Sequence, residues 1–181
     1  MKKKILERRR KLFSIVAFLI NFNLLSVPLY VLSLTDFSLL PIQNFIATAT
    51  ARTLRSFGYS VTSKDYVLTL TTTNEIAKVE ISTDCLGWKS MYALAALALA
   101  ITYPLKKKIK FLLVGLPALF FINFLRIVST LVFCLTYGFS YLETVHTLLW
   151  REGLILLVVC MWYLWIKREK YNIEQMKLFF R

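Results

Sequence analysis

Residues Phe111–Tyr137 read FLLVGLPALFFINFLRIVSTLVFCLTY, an apolar run interrupted by one charged residue, Arg126. A helix needs roughly 20 mostly apolar residues to cross the hydrocarbon core of a bilayer, and this run supplies them. Three more runs are of the same kind: Leu12–Leu34, Leu86–Tyr103 and Val145–Ile166. The whole chain agrees, with 57% hydrophobic and 18% charged residues among 181 and a mean hydropathy of +0.60. Soluble domains run nearer half apolar and a quarter charged, so the composition excludes an ordinary soluble domain and a disordered chain. Five Gly and four Pro exclude fibrous and low-complexity classes, and three Cys make no disulfide framework. The first run is read as a span and not as a removed signal peptide. It is too long for an h-region, and the small residues Ala47-Thr48-Ala49 lie too far downstream to be its cleavage site.

The net charge of +13 is a topology signal and not a mark of nucleic-acid binding. Lys2, Lys3, Lys4, Arg8, Arg9, Arg10 and Lys11 precede the first run, and Lys106, Lys107, Lys108 and Lys110 follow the second. Lys167, Arg168, Lys170, Lys177 and Arg181 follow the fourth. With four spans, all three segments lie on one side, and the positive-inside rule makes that side cytoplasmic. The expected organisation is a basic tail over 1–11, one membrane domain over 12–166 and a second basic tail over 167–181.

The segment 35–84 then lies outside. Its Arg52, Arg55, Lys64 and Lys78 stand against Asp36, Asp65, Glu75, Glu80 and Asp84, a net of −1. Within it, Leu39–Phe57 places Ile42, Phe45, Ile46, Ala49 and Leu54 near helical spacing and stops before Gly58. This is an amphipathic helix, lying on the membrane or capping the bundle. Tyr66–Thr71 and Ile76–Ser82, joined by the polar Thr72–Glu75, read as a β-hairpin. Two strands alone are barely stable in water, so the hairpin is expected to pack on the helix or to pair with Tyr59–Thr62. The expected fold is mainly α and integral to the membrane. It is a bundle of four transmembrane helices, with an outer amphipathic helix and a small β-hairpin between the first two spans.

Ionisable groups within spans are costly and are functional candidates by default. Lys89 lies in the second span, Arg126 in the third, and Glu143, His146, Arg151 and Glu152 at or in the fourth. Counting back from each cytoplasmic end at 1.5 Å per residue brings Cys85 and His146 to the outer boundary and Arg126 about one turn below it. A thiol, an imidazole and a guanidinium at nearly one level suit nucleophilic acyl transfer. The thiolate is the reactive form, favoured at a helix N-terminus or beside a cation. A His protonates a leaving amine, and an Arg stabilises a tetrahedral oxyanion. Lys89, four residues after Cys85, is expected on the same helix face. Asn123, three before Arg126, is expected to orient the guanidinium or to bind a substrate carbonyl. Cys134 and Cys160 read as small hydrophobes. One His, one Cys and scattered acids do not have zinc-site spacing, and there is no Gly-rich phosphate loop.

Three blocks carry a family resemblance. Thr83-Asp-Cys-Leu-Gly-Trp-Lys-Ser90 resembles the Cys-x-Gly-x-x-Ser block of the exosortase/archaeosortase family. Asn123-Phe-Leu-Arg126 is similar to that family's Asn-x-x-Arg block, and Val145-His146 to its third block, where members carry His or Arg. The resemblance runs roughly from Leu39 to Ile166. It implies a multipass membrane cysteine transpeptidase or protease. Such enzymes cleave exported proteins at a C-terminal tail made of a short motif, a transmembrane helix and a basic cluster. It implies Cys85 as nucleophile, Arg126 as transition-state or thiolate stabiliser and His146 as acid/base. Asp84, Lys89, Ser90 and Asn123 would be supporting or substrate-binding residues. No cofactor is implied, and the acceptor would be a membrane lipid, another amine or water. Many members have more spans than this chain. The alternative reading is a non-catalytic four-span subunit or transporter component, in which Arg126, Glu152 and Lys89 form a buried ion network.

Overall fold

The computed structural model describes residues 2–35, 38–71, 76–139 and 153–179. Helix α1 (Lys2–Ser33) opens the chain. Its apolar portion, Leu12–Ser33, is long enough to cross a membrane and has none of its apolar window buried by the rest of the protein. Phe13, Leu24 and Tyr30 are among its exposed side chains, a surface suited to lipid. One contact that fixes it is polar: the Tyr92 hydroxyl donates to the Leu25 carbonyl at 2.7 Å.

Helix α2 (Leu40–Ser56) matches the expected amphipathic helix to within a residue at each end. Pro41 sits in its first turn, where a missing N–H costs nothing. It ends in a Schellman arrangement: Gly58, at φ +89, donates to the Arg55 carbonyl, and Tyr59 donates to that of Leu54. Its buried face, Ile46, Ala47, Ala51 and Leu54, packs into the protein.

Three strands follow: β1 (Ser60–Lys64), β2 (Val67–Thr71) and β3 (Ile76–Glu80). They form an antiparallel meander in that order, with Lys64 opposite Val67 and Thr71 opposite Ile76. The expected hairpin is therefore the β2–β3 half of a three-stranded sheet, and β1 is the pairing partner anticipated from Tyr59–Thr62. Val61, Leu68 and Leu70 point from the sheet into one core with the α2 face and with Ile127, Val128 and Leu131.

A 3-10 turn, Thr83–Leu86, leads into α3 (Trp88–Ala100). This helix is shorter than the apolar run Leu86–Tyr103 suggests. The turn takes its first residues, and Ile101 is already extended (ψ 144) ahead of Pro104.

Helix α4 (Leu105–Tyr137) is the longest element and the second described helix long and apolar enough to cross a membrane. The Lys106–Lys110 cluster, expected in a loop, forms its opening turns. Lys is a good helix former, and nothing between Pro104 and Phe111 breaks a helix. Gly115 lets α3 come close, since a Cβ there would stand 3.3 Å from Leu94 Cδ2.

Helix α5 (Leu154–Phe179) runs past the expected end at Ile166, because the charged residues that follow are helix formers too. A second core joins α3, α4 and α5 through Leu94, Leu119, Leu154 and Val158. Trp162 Nε1 donates to the Leu97 carbonyl at 3.2 Å, and Trp165 stacks on Phe111 at 4.4 Å. Lys107 pairs with Glu169 across α4 and α5. The residues expected to open the fourth span, including Val145, lie outside the described residues.

Candidate active site

The site is built where the sheet hands the chain to α3. Ser82, extended at φ −67 and ψ 162, caps the 3-10 turn. The Cys85 N–H donates to the Ser82 carbonyl at 3.0 Å and approaches its Oγ at 3.4 Å. The Ser82 hydroxyl donates in turn to Cys85 Sγ at 3.3 Å. Upstream, the segment is held by Gln43 of α2, which is buried and donates from Nε2 to the Ile81 carbonyl at 2.8 Å.

Gly87 closes the turn at φ +72 and ψ 16. Two constraints demand glycine here. A left-handed backbone disfavours a Cβ, and a Cβ at this position would stand 2.9 Å from Asn123 Cγ. Asn123 fills that space from α4. It is 3% exposed, and its Nδ2 donates to the Cys85 carbonyl at 2.9 Å. Its Oδ1 is buried with no hydrogen-bond partner among the described residues. Arg126, one turn further along α4, is partly buried and interacts electrostatically with Cys85. The Cys turn is thus bonded to the Asn of the second expected block, whose Arg lies one turn further along α4.

Arg126 also opens on an apolar groove of about 820 Å³ along α4, whose walls include Phe57, Leu125 and Phe133. On the other flank of the turn is a smaller polar pocket of about 250 Å³, lined by Ser33, Ser82, Asp84 and Lys89 among others.

Lys89 does not share a helix face with Cys85. Gly87 interrupts the helix between them, so the four-residue spacing does not carry across. Lys89 Nζ instead pairs with Asp84 Oδ1 at 2.8 Å, both side chains about half exposed (47% and 52%), and lies 5.7 Å from the Trp88 ring centre. Ser90 is in the first turn of α3, partly buried. Asn123 does not act as a holder of the guanidinium. Its donor goes to the Cys85 backbone, because the left-handed turn presents that carbonyl to α4. His146, with Glu143, Arg151 and Glu152, lies outside the described residues.

Two residues that hold the site escape a reading of the sequence by motif. Ser82 has a local signal, a capping-type side chain just ahead of a turn. Gln43 has none, being 38 residues from the carbonyl it binds.

A family model described as transmembrane exosortase matches residues 8–166. No curated protein and no solved structure matches the chain.

Proposed function

Since the chain belongs to the transmembrane exosortase family, we propose that it is a membrane cysteine transpeptidase or protease with Cys85 as nucleophile. Its substrates in this reading are exported proteins with a C-terminal tail of short motif, transmembrane helix and basic cluster. The observation that supports the assignment is the hydrogen bond from Asn123 to the Cys85 carbonyl. The Asn bonds the backbone of the proposed nucleophile from one turn of α4, and Arg126 stands on the next turn.

The reaction has two halves. The Cys85 thiolate attacks the scissile carbonyl carbon, forming a C–S bond and a tetrahedral oxyanion. Arg126, always charged, stabilises that anion in a site of low dielectric. Collapse breaks the C–N bond, and His146 supplies the proton to the departing amine. A thioester on Cys85 remains. An amine, a lipid hydroxyl or water then attacks it, gives up its proton to His146 and releases the thiolate.

The membrane arrangement follows from the charges. In this reading α1, the Cys turn with α3, α4 and α5 belong to the four spans expected from the apolar runs. Both basic ends and the Lys106–Lys110 turns are cytoplasmic. Arg126 lies about 24 Å along α4 from Lys110 at 1.5 Å per residue, near the far boundary of a core about 30 Å thick. A tail anchored by its own helix would then present its motif at the level of Cys85 without leaving the bilayer.

The test is to trap the thioester. Membranes containing the protein and a tail-bearing substrate are denatured rapidly, and Cys85 peptides are analysed by mass spectrometry. A hydroxylamine-labile acyl adduct on Cys85, absent from Cys85→Ala, is expected. Processing at full rate by Cys85→Ser would contradict the proposal, because a hydroxyl lacks thiolate chemistry.

A further inference from the structure

We infer that the Ser82 hydroxyl is a hydrogen-bond donor to the Cys85 thiolate, built into the cap of the turn that carries it. The inference rests on the reading of Cys85 as nucleophile, and it extends the site to a residue outside the three family-like blocks.

The Ser82 hydroxyl both accepts and donates within the turn. The Cys85 N–H approaches Ser82 Oγ at 3.4 Å, with the oxygen as acceptor. The oxygen is thus turned as an acceptor toward the backbone. Its own hydrogen is free for the sulfur, which lies 3.3 Å away. That distance is comfortable for an O–H···S contact, sulfur being larger than oxygen. Cys85 also directs its N–H to the Ser82 carbonyl at 3.0 Å, so three contacts tie these two residues into one ring.

The ring is held from both sides. Gln43 Nε2 holds the Ile81 carbonyl at 2.8 Å, immediately before Ser82. Asn123 Nδ2 holds the Cys85 carbonyl at 2.9 Å, immediately after the sulfur-bearing residue. The Ser82–Cys85 separation is therefore set by α2 and α4 and not by the turn alone.

The chemistry favours the ionised sulfur. A hydroxyl donating to an anion is worth more than one donating to a neutral thiol, hydrogen bonds to charged groups being the stronger class. Cys85 is 9% exposed, so solvation of its thiolate by water is restricted and a fixed donor takes over part of that work. Ser82 itself is exposed, which tempers the effect through competition with water. Arg126 supplies charge to the sulfur from α4, and Ser82 supplies a directed dipole from the turn.

The experiment reads the thiolate directly. Full-length wild type, Ser82→Ala, Ser82→Thr and Ser82→Gly in membranes are treated with iodoacetamide, from which a thiolate displaces iodide. The Cys85 adduct is followed by peptide mass spectrometry at pH 7 and at about pH 10.5, well above the ordinary thiol range. The expected result is a loss of about fivefold in rate at pH 7 for Ser82→Ala and Ser82→Gly, with wild-type rates at the alkaline pH. Ser82→Thr, which keeps the hydroxyl, restores the rate at pH 7. Glycine caps a turn nearly as well as serine, so Ser82→Gly carries the test if the alanine variant fails to fold. Equal rates at pH 7 for all variants, or an equal loss at both pH values, would overturn the inference. The alkylation assay is independent of tail cleavage. Retention of processing by Cys85→Ala would remove the proposed function while leaving this measurement to stand on its own.

Discussion

Gly87→Ala is the substitution whose effect the site geometry fixes most closely. Alanine at φ +72 bears the left-handed penalty, about 1–2 kcal/mol. Its Cβ would also stand 2.9 Å from Asn123 Cγ and 3.1 Å from both terminal atoms of that side chain. Asn123 is buried and cannot swing into solvent. It must shift and release the Cys85 carbonyl, leaving buried polar groups unpaired at about 1–3 kcal/mol. The sum is about 2–5 kcal/mol. Gly58→Ala is the internal control. It has the same handedness at φ +89 but nothing within 4 Å of a new Cβ, so its cost is the backbone part alone, about 1–2 kcal/mol. Thermal unfolding in detergent compares the two, at roughly 2–4 °C per kcal/mol for a chain of this size. Gly87→Ala should melt several degrees lower than Gly58→Ala. In an Asn123→Ala background, where the clashing atoms are gone, the two glycine substitutions should cost the same. The coupling measured by that cycle is the clash plus the lost bond. Equal costs for Gly87→Ala and Gly58→Ala in the native background would refute the reasoning, since Asn123 would then not be fixed against the turn. Tail processing, read at matched membrane levels, should fall for Gly87→Ala and stay near wild type for Gly58→Ala.

Three further outcomes follow from contacts on the page. Asn123→Asp replaces the donor to the Cys85 carbonyl with a carboxylate facing it; processing should be lost and the melting temperature lowered, whereas wild-type activity would show that the bond does not hold the nucleophile. Gln43→Leu removes the tether to the Ile81 carbonyl and should cost about 1–3 kcal/mol in unfolding, with a loss of Cys85 alkylation at pH 7 that an exposed substitution such as Arg52→Gln does not produce. Glu169→Gln leaves Lys107 without its partly buried partner and should destabilise the α4–α5 contact. The exchange Lys107→Glu with Glu169→Lys should recover most of that loss, as a pair whose value lies in mutual neutralisation does.

Much of this architecture was legible because it is written in runs. The Leu39–Phe57 helix is framed by Pro41 and Gly58, and it forms as Leu40–Ser56. The alternation around Val79 and Ile81 marked a strand, and that strand forms as Ile76–Glu80. The site was harder to read, because its decisive feature is a local break. A spacing of four between Cys85 and Lys89 implies one helix face only if the helix is continuous, and Gly87 at φ +72 ends one turn before the next begins. Lys89 is consequently turned to Asp84. The start of α4 was displaced for the opposite reason: a run of lysines looks like a loop by charge but is helical by propensity. The Gln43 tether joins residues 38 apart, and such a contact exists only once the sheet has folded against α2. Chemistry and spacing single out Cys85, Asn123 and Arg126; the fold bonds Asn123 to the Cys85 carbonyl, with Arg126 one turn further along α4.

The central claim is that Cys85 cuts C-terminal tails from exported proteins. The most direct measurement is made in the native host, with the wild type and Cys85→Ala at matched membrane levels, by mapping the C-termini of surface proteins by mass spectrometry. The account predicts that a small set of proteins, each with a hydrophobic helix and basic cluster at its C-terminus, ends short of that tail only with the wild type. The mass added at the new terminus would identify the acceptor. Identical C-terminal profiles in the two strains, with tail-bearing proteins present and intact in both, would contradict it.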